Sequence, residues 1–191
     1  MKILFQLASL LERSVNFLGR IGAWMMIPLM LVIVYDVIMR RFFVIGSTQL
    51  QELEWHLHGT LFLLCLGWAY NRNSHVRIDI LYDNFKVRSH ALIELLGCLL
   101  FLIPYSVALI YFGVDYFDAS YMFDEHAASA TGLPNRWIIK GIMVLGFTTL
   151  FMAGLSRTFM VIAFLFGGKE FARNTGFVEK NIHIEKQGGT S

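Results

Sequence analysis

The chain has 191 residues, 56% hydrophobic and 15% aromatic but only 16% charged. Soluble domains carry about 25% charged residues, and the mean hydropathy here is +0.57, so an ordinary soluble fold is excluded and an integral membrane protein is implied. A net charge of +2 is too small to point to nucleic acid, and both cysteines, Cys65 and Cys98, lie in apolar stretches where buried thiols are a plainer reading than a disulfide.

The N-terminal stretch MKILFQLASLLERS is interrupted by Gln6, closed by Glu12 and Arg13, and lacks a small-residue cleavage site. Leu4, Leu7, Leu11 and Val15 recur at helical spacing, which predicts a retained amphipathic helix at the membrane surface feeding the first span. That span is expected over about 21–39, since about 20 apolar residues cross about 30 Å of hydrocarbon. Pro28 is tolerable inside it because neighbouring helices can satisfy the freed carbonyl. Asp36 precedes Arg40 by four residues, so an interfacial ion pair along one helix face is a plainer reading than a transport role.

A connector with a turn at Gly46-Ser47 then restarts a helix, with Ser47 or Thr48 as N-cap. The second span is expected over about 55–70, preceded by Glu52 and Glu54 and followed by a polar cluster ending in HVRID. The third, about 91–110, has Glu94 near its start and Pro104 within it, and continues as the acidic and aromatic extension YFGVDYFDASYMFDE. The fourth, about 138–166, follows ATGLPNR and carries Lys140 near its start and Arg157 deep inside. Residues 175–191 read as a disordered polar tail. The whole is one all-α membrane domain over residues 1–191, with four transmembrane helices, no internal repeat and no separate soluble domain.

Four spans place both termini on one side. With the N-terminus inside, eleven basic residues lie inside: Lys2, Arg13, Arg20, Arg72, Arg77, Lys86, Arg88, Lys169, Arg173, Lys180 and Lys186. Only Arg40, Arg41, Arg136 and Lys140 lie outside, and this asymmetry predicts cytoplasmic termini.

Glu94 and Arg157 are the charges least at home in their spans, both toward the cytoplasmic half, and they are expected to pair or to snorkel to the same interface. His56 and His58 are two apart, so on a helix they project to nearly opposite sides and cannot share a metal. His75, His90 and His126 fall in loops or at span ends, which weighs against haem, although a cytochrome-like membrane anchor of a redox complex is the alternative function. No P-loop, nucleophile elbow, metalloprotease histidine pair or nucleotide fingerprint is present, so no enzyme is expected. No two of the sixteen glycines are four apart, so helix association does not rest on a G-x-x-x-G motif.

Several motifs in order resemble the small membrane subunit of tripartite ATP-independent periplasmic (TRAP) transporters, the DctQ type. Arg41-Phe42 matches the arginine–aromatic pair closing the first span. Glu52, Glu54 and Trp55 in QELEW match a Glu-containing helix start, and His75, Arg77 and Asp79 match an H-V-R-[IV]-D signature after the second span. GLPNRWIIK, with Pro134, Arg136 and Lys140, is similar to an element that opens the fourth span in one branch of the family. The resemblance covers roughly residues 15 to 167.

It implies a non-enzymatic scaffold subunit in a bacterial inner membrane, bound to a large membrane subunit that carries the sodium and substrate sites. It further implies a periplasmic binding protein that delivers an organic acid, uptake driven by sodium, and no cofactor in this chain. The polar tail after the fourth span suits a separate subunit. Phospholipids are the other expected partner, with Arg77 toward lipid phosphate and Asp79 capping the next helix. Asp115, Asp118, Asp124 and Glu125 in the acidic extension are the expected contact with the binding protein, weighed against a simple solvated helix end.

Overall fold

The computed structural model describes residues 2–72, 87–127 and 131–166; the HVRID motif, with His75, Arg77 and Asp79, and the tail lie outside the described residues. Among the described residues every regular element is helical. They are α1 (Lys2–Trp24), α2 (Met26–Phe42), α3 (Thr48–Asn71), α4 (Val87–Gly97), a π turn (Cys98–Leu102), α5 (Ile103–Met122) and α6 (Trp137–Phe166).

Only Met25 separates α1 from α2. Pro28 has no N–H for the carbonyl of Trp24, and just before it the chain tightens, with Met25 N donating to Gly22 O at 3.0 Å. α2 ends at a left-handed Val44 (φ 57). α3 then starts on Ser47, whose extended backbone and hydroxyl, accepting from Leu50 N at 3.4 Å, form the N-cap.

α6 is the hub, packed against α1, α3, α4 and α5, whereas α2 rests mainly on α3. The buried side of α6 consists mostly of small residues, among them Gly146, Thr149, Ala153, Gly154, Ser156, Thr158 and Ala163. Without a hydrophobic drive between helices in lipid, such residues allow the backbone approach that holds a bundle together. A Cβ on Gly67 would stand 2.6 Å from the carbonyl oxygen of Thr149, and one on Gly146 would stand 2.8 Å from that of Leu63. The α3–α6 crossing is therefore backbone against backbone at two reciprocal points. Buried hydroxyls bond to carbonyls, as Thr149 Oγ1 does to Gly146 O (2.7 Å) and Thr158 Oγ1 to Gly154 O (2.8 Å).

α1 differs from the expected surface helix in being packed into the bundle. Its buried stripe is Ala8, Val15, Gly19 and Gly22, whereas Leu7 is 45% exposed. Ser156 Oγ of α6 donates to Ala8 O at 2.9 Å, and Gly19 and Gly22 lie against Trp68 and Leu64 of α3.

Among the described residues, three helices are long and apolar enough to cross a membrane: Ile3–Phe42, Arg88–Met122 and Trp137–Phe166. α3, which holds the expected second span, is not among them, because Glu52, Glu54, His56 and His58 dilute its first half. Most of the outer surface is apolar; α2 buries only Leu29 and Asp36, and Met30, Leu31, Val34 and Val37 stand exposed. That surface suits lipid or another membrane protein.

Candidate functional site: two polar locks at opposite ends of the bundle

At the N-terminal end of α6, residues 123–127 and 131–136 form a strap bounded by two left-handed residues, Asp124 (φ 45) and Asn135 (φ 61). Asp and Asn adopt that region more readily than other non-glycine residues. The strap folds on itself through Ala127 N to Leu133 O (3.3 Å) and Arg136 N to Glu125 O (3.1 Å).

Side chains from α3 and α6 then pin it. Glu52 Oε2 accepts from Leu133 N at 2.6 Å, and Gly132 packs so closely on the Glu52 carboxylate that a Cβ would not fit. Lys140, 6% exposed, is paired with Glu125, and its Nζ lies 3.5 Å from the centroid of the Tyr116 ring. Arg136 Nη1 stands 3.7 Å from the other oxygen of Glu125. Lys140 foremost, then Ser120 and Arg136, hold the Glu125 carboxyl below its usual range. Trp137 meets Phe117 and Tyr121 edge-to-face, the Tyr121 and Trp137 centroids 5.5 Å apart, while Phe117 and Tyr121 stack on each other.

The strap brings together Glu52, Pro134, Arg136 and Lys140, from two motifs far apart in the chain. Arg41 and Trp55 stand exposed on the bundle exterior, and Glu54 is half-buried. Asp115, Asp118 and Asp124 face outward, together with Tyr121, Met122 and Phe123. Glu125 does not share that orientation, being drawn inward to Lys140. On the same end Asp36 pairs with Arg40 along α2, and Gln51, with its amide oxygen turned toward Arg40, accepts from Nη1 at 2.9 Å, tying α2 to α3.

The second lock lies toward the C-terminal end of α6. Arg157 Nε donates to Glu94 Oε1 at 2.6 Å and Nη2 to Oε2 at 3.3 Å, a two-point geometry with the side chains 17% and 8% exposed. One turn along, the Tyr70 hydroxyl lies 3.0 Å from Cys98 Sγ. This lock joins α3, α4 and α6.

His56 Nδ1 lies 2.6 Å from Glu52 O, within its own helix. Among the described residues, no three His, Cys, Asp or Glu side chains are grouped so as to hold a metal. Sequence reasoning missed the Glu125–Lys140 lock, which depends on a chain reversal, and the small-residue seam of α6. The spacing of Gly146, Thr149, Ala153, Ser156 and Ala163 along one face signals that seam.

A comparison with curated proteins found no match. The model of the family described as "Tripartite ATP-independent periplasmic transporters, DctQ component" matches residues 29–165, from α2 to the end of α6 and across both locks. That family is a transporter component, not an enzyme. With the match covering most of its length, the chain belongs to the DctQ family, the small membrane subunits of TRAP transporters.

Proposed function

We propose that this chain is the scaffold subunit of a sodium-driven TRAP importer of an organic acid in a bacterial inner membrane. The observation that carries the reading is the family match over 29–165. In this reading the chain crosses the membrane four times with both termini in the cytoplasm. α3 is the second span: its 24 residues reach about 36 Å at 1.5 Å per residue, and in its polar first half Glu52 binds the strap and Gln51 faces Arg40 of α2. The excess of basic residues on the inner segments supports that orientation.

The large subunit docks on part of the apolar exterior, and it carries the sodium and substrate sites, with no cofactor in this chain. The strap then faces the periplasm, and Asp115, Asp118 and Asp124 with Tyr121, Met122 and Phe123 offer the binding protein an acidic, aromatic surface. Glu125, held by Lys140, shapes that surface instead of contacting the partner.

The test is affinity purification of the tagged chain from its native membrane, followed by reconstitution into proteoliposomes. A many-span membrane protein is expected in about equal amount, and uptake should require it, the binding protein and an inward sodium gradient. Recovery of the chain alone, or uptake indifferent to sodium, would overturn the reading. An Asp115→Lys/Asp118→Lys variant should keep the membrane complex but weaken capture of the binding protein.

A further inference from the structure

The helix from Val87 to Met122 is interrupted, and the interruption has a countable signature. Its buried positions are Ala91, Cys98, Ser106, Gly113 and Ser120, seven residues apart except for the eight-residue step from Cys98 to Ser106. A seven-residue period keeps one helix face in line to within about 20°, so an eighth residue must be absorbed by a wider turn. The π turn Cys98–Leu102 lies in that step, with Ile103 N donating to Cys98 O, five residues back.

Local sequence favours it. Pro104 has no N–H for the carbonyl of Leu100, and its ring crowds that carbonyl in a plain α-helix. Gly97 lowers helical preference, and since an added Cβ there meets nothing within 4 Å, packing does not demand the glycine.

If the segment were plain α-helix, α4 would turn by about 100° against α5. Leu92, Leu95 and Leu99 would then take the places of Ala91, Glu94 and Cys98 opposite α6. Leu92 and Leu99 now face outward, 49% and 45% exposed. The unused stripe is all leucine, so either stripe is acceptable to lipid, and the two arrangements differ mainly in polar contacts.

We infer that α4 is a two-register half-helix. The π turn holds the register in which Glu94 reaches Arg157 and Cys98 reaches Tyr70, and its resolution into α-helix rotates the leucine stripe inward. The Glu94–Arg157 pair is the latch that selects the present register.

Cys98, 2% exposed, reports the register directly, and Cys65, whose Sγ lies 3.4 Å from Gly19 O in the α1–α3 contact, serves as an internal reference. The full chain in detergent is treated with a maleimide, and labelling is read at each cysteine by peptide mass spectrometry. Arg157→Gln is expected to speed labelling of Cys98 by about tenfold or more, as a shift between two populated registers requires, with Cys65 unchanged. Deleting Leu100 in the same background removes the extra residue, makes the present register a regular helix, and should restore protection of Cys98.

Protection of Cys98 in Arg157→Gln, parallel exposure of Cys65, or failure of the deletion to restore protection would each overturn the inference. Should Arg157→Gln not accumulate, deletion of Leu100 alone decides. The present register is then built in and Cys98 stays protected; exposure of Cys98 sinks the proposal.

Discussion

The α3–α6 crossing gives the sharpest stability prediction, because the contact at Gly67 is against backbone, which cannot rotate away. A Cβ there meets Thr149 O at 2.6 Å and the Thr149 carbonyl carbon at 2.8 Å. Restoring ordinary contact at 3.4 Å separates the helices by roughly 0.8 Å, a gap that forfeits about a quarter to a half of each dispersion well along the seam. Overpacking of this kind costs about 1–3 kcal/mol, and alanine's better helix preference returns about 1 kcal/mol. Gly67→Ala should therefore lose about 0–2 kcal/mol net. Gly97→Ala, where the added methyl meets open space, should be neutral or gain up to about 1 kcal/mol. Equilibrium unfolding of the purified chain in mixed micelles, followed by tryptophan fluorescence, compares the two directly. If the two variants are indistinguishable, the backbone contact at Gly67 does not hold the bundle.

Removing one partner of a buried pair leaves an uncompensated charge, so Arg157→Leu should destabilise the chain by about 3–5 kcal/mol. Pairing it with Glu94→Leu should recover much of that loss in the same unfolding assay. Glu52→Ala frees Leu133 N from a charged acceptor and should cost about 1.5–3 kcal/mol, with faster hydrogen exchange at Leu133. Because folding lowers the Glu125 pKa from its usual 4.5, its contribution to strap stability is present above that value and fades as pH falls through the lower native value. Exchange at the Arg136 amide, which bonds Glu125 O, should therefore quicken in strong acid, and Glu125→Gln should remove that pH dependence.

What the sequence shows plainly is the apolar runs and the charges set within them. The expected fourth span, 138–166, matches α6 (Trp137–Phe166) almost residue for residue, because strap and helix meet at the sharp reversal of Asn135. The other spans are less well bounded, since a bilayer limits the apolar run and not the helix: α3 begins at Thr48, well before the expected 55, and α5 runs to Met122. Glu94 and Arg157 stand out as charges in apolar surroundings, but the π turn between Glu94 and α5 does not. It shows only as one eight-residue step among sevens, and that step is recognised once burial is known. Glu125 looks like its neighbours Asp118 and Asp124, and two left-handed residues on either side of the strap turn it toward Lys140 instead.

The locks and the seam between them leave little freedom for sliding within the α3–α6 unit. A shift of α3 by one residue, about 1.5 Å along the axis, moves Gly67 away from Thr149 and brings a Cβ-bearing neighbour toward the same carbonyl. The same shift displaces Leu63 from Gly146 and pulls Glu52 from Leu133. Contacts of this kind are satisfied at one register only, so the crossing behaves as a fixed strut. α4 is different, since its alternative stripe is as apolar as the one in use. A body with one rigid seam and one latched half-helix suits a subunit that holds its place while a partner moves, and it puts the place to look for coupled motion at Glu94, Arg157 and the π turn.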